Sequence, residues 1–310
     1  MASFTSFSQN YEDVILWRAL GHVERGFYVD CGAYHPDKDS VTKAFYDRGW
    51  RGVNIEPISL LLDKFTSERP ADINLNVALS HNSGSSAFYE ILDTGLSTFS
   101  ATIAGQHIDA GFVGRRIEVE TAPLSDVLAS HARCDIHFLK IDVEGAEHAV
   151  IGGLDLTVHR PWIILVEATR PLSDRPSHLE WEPDLLSQGY DFVYFDGLNR
   201  FYLSREHIDL RERLAIPPNP FDDFVQASHL RALEGAKHEI ATIKASSSWR
   251  LTAPLRALKS GAAIARSSVS IWLDGFLCDE RPDRGRLSKV EAAARPDRPP
   301  IELGHLTLPL

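Results

Sequence analysis

Cysteine is scarce in this chain. Cys31, Cys134 and Cys278 are the only three in 310 residues. They lie far apart, are odd in number and lack C-x-x-C spacing, which excludes a disulfide framework and a zinc ribbon and reads as free thiols in a reducing compartment. Long apolar runs are missing as well. No stretch reaches the roughly 18 residues expected of a membrane-spanning helix. The start, MASFTSFSQNYED, has neither the basic block nor the apolar block of a secretory leader. The expected location is therefore cytoplasmic. Positive charge is outnumbered, with 32 Lys+Arg against 43 Asp+Glu and a net charge of −11. That balance argues against a phosphate-tracking, nucleic-acid-binding surface. A G-x-G-x-x-G run is also absent, which speaks against a nicotinamide-dependent oxidoreductase.

What remains is ordinary globular material, 44% hydrophobic and 24% charged. Such a chain can bury a sizeable core without metal or disulfide support. The charge is unevenly spread. Residues 226–310 hold 13 Lys+Arg against 9 Asp+Glu, whereas residues 1–225 hold 19 against 34. The shift predicts a domain over 1–225 and a helical extension with a flexible tail over 226–310.

Within the first part, apolar strands alternate with helical patterns. Helices are expected over Ser8–Leu20, with Ser8 as N-cap, and over Lys38–Arg48, Leu60–Phe65, Leu124–Ser130, Ala146–Ile151 and Leu179–Gln188. Core strands are expected at Gly26–Cys31, Gly52–Ile55, Ile73–Leu79, Ile136–Ile141 and Trp162–Val166. Arg116–Glu120 alternates like a further strand. Ser80–Gly114 reads as a polar loop region with one strand near Ala87–Ile91. Tyr190–Phe195 and Arg200–Leu203 flank a hairpin turn. The order implies an α/β fold with a mostly parallel seven-stranded sheet, a terminal antiparallel hairpin and a C-terminal helical tail. Ala227–Lys244 reads as an exposed helix, and Trp249, Leu251, Leu255 and Leu258 follow at helical spacing. That tail is either an amphipathic segment docking on a partner or a membrane surface, or a helical pair that packs on the domain or makes a homodimer contact.

Ligands of open α/β sheets bind beyond the carboxyl ends of the strands. Four acids fall there: Asp30, Glu56, Asp142 and Glu167. Asp30 leads into Gly32-Ala33, where the backbone can approach a ligand and an acid can accept from an ammonium group. Glu56 stands where a carboxylate accepts from both ribose hydroxyls. Asp142 opens the acidic run that continues through Glu144 and Glu147. Glu167 is read as holding an acceptor, completing a metal site with Asp142, or pairing with Arg170. His35 follows the first turn and titrates near working pH.

Together the runs SQNYEDVIL, FYVDCGAYHP, GVNIEP, NVALS, FLKIDVEGAEHAVIGGL and WIILVE resemble the FkbM-type family of S-adenosylmethionine-dependent methyltransferases. The resemblance spans roughly Ser8 to Leu203 and is most specific in KIDVEGAE. It implies a Rossmann-like class I methyltransferase fold and O-methylation of a sugar, glycan or related small molecule. It also implies donor contacts from Asp30, Gly32 and Ala33 to the methionine part, from Glu56 to the ribose, and from Asn76, Val77 and Ala78 near the adenine. Gln9, Tyr11 and Glu12 match the family's N-terminal pattern and would close over the donor. Asp142 and Glu144 would face the reaction centre. His35-Pro36 stands where many class I enzymes carry a further glycine.

An acceptor hydroxyl is a weak nucleophile, so a base should take its proton, with Asp142 or His35 in that role. In a variant, a divalent cation, magnesium by ligand type, is held by Asp142 and Glu167 and lowers the hydroxyl's pKa. Two alternatives differ in kind: a catalytically silent scaffold of a glycan-biosynthesis complex, and a metal-assisted O-methyltransferase of a non-sugar natural product. The first binds donor without turnover, and the second loses rate with a chelator.

Overall fold

The computed structural model describes residues 3–253 together with Arg256. The chain divides into two compact units, Met1–His238 and a second that begins at Glu239.

The first unit contains twelve strands: β1 (Phe4–Ser6), β2 (Phe27–Cys31), β3 (Arg51–Ile55), β4 (Ile73–Leu75), β5 (Ala78–Leu79), β6 (Gly84–Ile91), β7 (Gly114–Ala122), β8 (Phe138–Ile141), β9 (Ile163–Glu167), β10 (Tyr190–Phe195), β11 (Asn199–Ser204) and β12 (Phe224–Gln226). Its helices are α1 (Glu12–Leu20), α2 (Lys43–Asp47), α3 (Ser59–Glu68), α4 (Ala101–Asp109), α5 (Leu124–His131), α6 (Glu147–Gly152), α7 (Glu182–Ser187) and α8 (Arg211–Leu214). Seven strands form the main sheet in the order β10-β11-β9-β8-β2-β3-β4. The sheet is mixed. β4, β3, β2, β8 and β9 run parallel, and β11 pairs antiparallel with both β9 and β10. Successive β-α connections run outward from β2 to β3 and β4, then return to β8 on the other side. The gap between β2 and β8 is thus a topological switch point, where ligands of such sheets bind.

Period-2 side-chain alternation explains why both faces are covered. On one face Val29, Cys31, Leu139, Ile141, Ile164 and Val166 pack under α5, α6 and α7. On the other, Tyr28, Phe138, Ile163 and Leu165 pack under α1, α2 and α8. Arg18, which interrupts the apolar stripe of α1, bonds Asp222 at 2.7 Å and the carbonyls of Arg213, Ile216 and Pro217. With β1 paired parallel to β12, it ties the start of the chain to residues past 213.

Several expectations change in three dimensions. In the stretch Ser80–Gly114, the strand expected near Ala87–Ile91 is present as β6, starting earlier at Gly84 and joining β5 and β7 in a three-stranded sheet, and the rest, read as loop, also carries α4. Its Ser-rich strand is half solvent-facing, so the apolar alternation is weak. The single strand expected at Ile73–Leu79 breaks at Asn76-Val77, and its halves belong to different sheets. The helix expected over Lys38–Arg48 shortens to α2, and the helix expected over Ser8–Leu20 begins at Glu12. Ser8 is not its cap: the Ser6 and Ser8 hydroxyls both donate to the buried Asp13 carboxylate at 2.7 Å. The exposed helix expected over Ala227–Lys244 is α9 (Ala227–Ala245). α10 (Ser247–Leu251) follows, capped by Ser246 and bearing Trp249. Leu255, Leu258 and the tail beyond residue 280 lie outside the described residues. Among the described residues no helix is long and apolar enough to cross a membrane.

Candidate active site

Strand register brings the first charged pair together. Asp30 on β2 lies directly opposite Lys140 on β8. Both are buried, at 1% and 7% exposure. The Lys140 ammonium sits 3.3 Å from Asp30 Oδ1 and 3.1 Å from Asp142 Oδ2, and donates to the Gly32 carbonyl at 3.2 Å. Burial alone would lower the pKa of this ammonium, but Asp142 and Asp30 outweigh it and hold it above its ordinary value. Asp30 Oδ2 also accepts from the Thr42 hydroxyl at 3.0 Å. Gly32 has a positive φ of 75°, and a Cβ there would run into the Asp142 carbonyl. Glycine thus lets the β2 turn lie against the β8 loop.

A cavity of about 320 Å³ opens at these strand ends. Gln9, Gly32, Ala33, Glu56, Val77, Ala78 and Asp142, all expected from the sequence, line it together. Glu56 follows β3. Its carboxylate accepts from the backbone N–H groups of Tyr34 and Ile58, each at 2.9 Å. Burial nevertheless raises its pKa to about 7, those two bonds only moderating the shift. Ile55, Ile58, Leu61, Leu79, Phe88 and Phe99 form the cavity's apolar side, and Lys38, Asp39, Asp93, Lys140 and Glu144 also line it.

Other expected residues lie elsewhere. Asp30 sits behind the wall and holds Lys140. Asn76 donates to the Glu56 carbonyl at 2.9 Å and accepts from Ser59 Oγ at 2.8 Å, so it braces the Glu56 turn. Tyr11 packs on Phe224, with ring centres 5.1 Å apart. Glu12 is buried and accepts from Asn199 Nδ2 at 2.9 Å. Burial, with Asp196 adding to it, pushes Glu12 up to about 7. His35 does not line the cavity. Its Nδ1 accepts from the backbone N–H groups of Asp37 and Lys38 at 3.1 Å, and burial lowers its pKa.

Glu167 joins a carboxylate cluster instead. One oxygen from each of Asp142, Glu144 and Glu167 lies within 4.8 Å of the others. Glu144 and Glu167 each keep a buried Oε2 without a hydrogen-bond partner. Burial first, and Asp142 next, push Glu144 up to about 9 and Glu167 up to about 11. Glu144 also holds a left-handed backbone, φ 51°, ahead of Gly145 at 94°. Non-glycine residues adopt that region only when their surroundings impose it. Here the Thr98 hydroxyl donates to the Glu144 carbonyl at 2.7 Å.

Sequence reasoning missed parts of the wall. Lys140 sits inside the KIDVEGAE run but reads as a strand residue, because its role depends on which strand lies alongside. The turn Asp93–Ser97 lines the cavity from the segment read as a loop region. Gly95 packs on Tyr34 there, and no periodicity signals that contact.

A family model described as the methyltransferase FkbM domain matches residues 30–192. A solved structure, methyltransferase FkbM from Methylobacillus flagellatus KT, is similar at 15% identity and a TM-score of 0.38, covering 60% of this chain and 47% of that one. The chain thus spans about half the length of that structure. No curated protein matches. With more than half of its residues matched by the domain model, and with Glu56 and Asp142 from two strand ends on one switch-point cavity, this chain belongs to the FkbM methyltransferase family.

Proposed function

We propose that the chain moves a methyl group from S-adenosylmethionine onto a hydroxyl of a sugar, glycan or related small molecule. The observation that carries this reading is the convergence of Glu56 and Asp142, 86 positions apart in the chain, on one cavity at the switch point. The residues present fit such a donor. Glu56 offers a carboxylate for a vicinal hydroxyl pair, and the Ile58, Leu61, Val77 and Phe88 wall suits a flat, weakly polar ring. The Gly32 turn permits close backbone approach. When bound, the donor supplies an electrophilic methyl carbon on a positively charged sulfur.

The chain's part is to hold the acceptor oxygen in line with that carbon and to remove its proton. As the new C–O bond forms, the S–C bond breaks and its electron pair stays on sulfur. The acceptor proton passes to the base. Asp142 takes that role in this reading. It lies on the cavity wall, and Lys140 orients its carboxylate at 3.1 Å. His35 is the weaker candidate, since Nδ1 is already engaged by two backbone groups.

A second reading adds a divalent cation, favoured by the unpartnered, buried oxygens of Glu144 and Glu167 beside Asp142. These three carboxylates would hold magnesium or a similar oxygen-preferring ion, which would supply Lewis acidity toward the acceptor hydroxyl. Calorimetry with S-adenosylmethionine, followed by methyl-transfer assays on a glycan panel with and without chelator, tests both. Failure of the donor to bind, or no methyl transfer to any acceptor of the panel, would defeat the first reading; full turnover in Asp142→Asn would remove Asp142 as the base. Turnover indifferent to chelator would defeat the second.

A further inference from the structure

A second cavity, of about 390 Å³, adjoins the first along the Asp142–Glu147 loop. Asp142, Val143 and Glu144 line the first cavity, whereas Gly145 and Glu147 line the second. Thr169, two residues past Glu167, also lines the second cavity. A molecule bound there would rest against the loop that bears the carboxylate cluster.

The second cavity is lined by a different set of side chains. Ile103 and Pro171 supply apolar wall, and Ser100, Thr102, Gln106, Ser173 and Ser177 present hydroxyl and amide groups. Trp181 touches the lining but is only 1% exposed, its ring packed in the core against Tyr202. Its Nε1–H and the Ser177 hydroxyl are buried with no hydrogen-bond partner. An indole N–H can only donate.

Two arginines stand at the rim. Arg170 N–H donates to the Arg175 carbonyl at 2.8 Å, and Ser177 N–H to the Ala168 carbonyl at 2.8 Å, so a closed turn holds both side by side. Arg170 lies 3.7 Å from Glu180. Arg175 has no ion pair among the described residues. Of the acids in this wall, Glu147 is occupied by the Val143 and Gly145 N–H groups, and Glu180 faces Arg170. Two of the groups left without a partner can only donate, the Trp181 Nε1–H and the Arg175 guanidinium, while the hydroxyls, the Gln106 amide and His148 can donate or accept. A guanidinium recognises carboxylate and phosphate through paired N–H bonds.

We infer that this second cavity is the acceptor subsite and that it takes a sugar ring carrying an anionic group, a carboxylate or a phosphate, bound at Arg175. The inference rests on the methyl-transfer reading above and names the substrate class for it. The wall's hydroxyls and amide, with the unpartnered Trp181 Nε1–H and Ser177 hydroxyl, suit the sugar, and Arg175 suits its charge.

The test uses the full chain saturated with S-adenosylhomocysteine, at low salt. Ligand-observed NMR titration measures binding of methyl β-D-glucuronide, the 6-phosphate of methyl β-D-glucoside, and uncharged methyl β-D-glucoside. At least one anionic probe should bind tenfold or more tightly than the neutral one. Preference for the glucuronide would identify a uronic acid source, and preference for the phosphate a phosphorylated sugar. Arg175→Glu should weaken the anionic probe at least tenfold, and Arg175→Lys should restore part of the loss. S-adenosylhomocysteine affinity should stay within twofold in both. Equal binding of charged and neutral probes, no binding of either anion, or indifference to Arg175→Glu would overturn the subsite. If S-adenosylhomocysteine fails to bind while the Arg175-dependent preference persists, the donor reading falls and the anionic sugar site stands.

Discussion

Lys140 is the most informative residue to remove. Its ammonium spans Asp30, Asp142 and the Gly32 carbonyl at 3.1–3.3 Å. In Lys140→Met the side-chain volume is nearly kept, but Asp30 remains 1% exposed with a single hydroxyl donor, Thr42, on Oδ2 and none on Oδ1. Breaking a buried ion pair from one side costs about 3–5 kcal/mol, because the stranded charge cannot recover its hydration. For a domain of this size each kcal/mol shifts the melting temperature by about 2–4 °C, so the expected drop is roughly 6–20 °C. Adding Asp30→Asn removes the stranded charge and should recover at least half of the loss. Circular dichroism melts and urea titrations of wild type, both single variants and the double variant measure this. A Lys140→Met melting temperature within about 2 °C of wild type, or a double variant no more stable than Lys140→Met, would refute the argument that this lysine compensates buried carboxylate.

Three further outcomes are expected. Glu56→Ala removes charge-assisted hydrogen bonds of about 1.5–3 kcal/mol and should weaken S-adenosylhomocysteine binding roughly 10- to 150-fold by calorimetry. Because burial holds Glu56 near 7 and hydroxyl donors prefer its ionised form, wild-type affinity should rise between pH 6 and pH 8, and this rise should vanish in the variant. Glu144 and Glu167 take up protons on folding, their pKa values rising from near 4.5 to about 9 and about 11. Their contribution is complete below pH 4.5 and is lost as pH rises through those higher values. Chelated protein should therefore melt lower at pH 9 than at pH 7, and added magnesium should narrow the gap if the cluster binds it. Truncation after His238, which spares the β1–β12 pairing and the Arg231–Asp37 bond at 3.1 Å, should leave S-adenosylhomocysteine affinity unchanged.

The amino-acid order by itself determined the parallel core strands, their acidic ends and the family. Each rests on local patterning: a run such as FLKID is apolar up to a charge, and the charge marks where the strand leaves the core. Glu56 and Asp142 were legible for that reason and Gly32 from its turn, whereas Val77 and Ala78 came only with the family resemblance. What only the tertiary structure decided depends on which strands lie side by side. Asp30 faces away from the cavity wall because β2 and β8 place it opposite Lys140. His35 is spent on a turn. Glu144 joins Glu167 because a left-handed residue bends the loop after β8 back toward β9. The Ser80–Gly114 stretch hid the helix α4 and the exposed, serine-rich start of β6, which carries little hydrophobic alternation. Neighbours across a sheet are set by register and crossover, which no local spacing encodes.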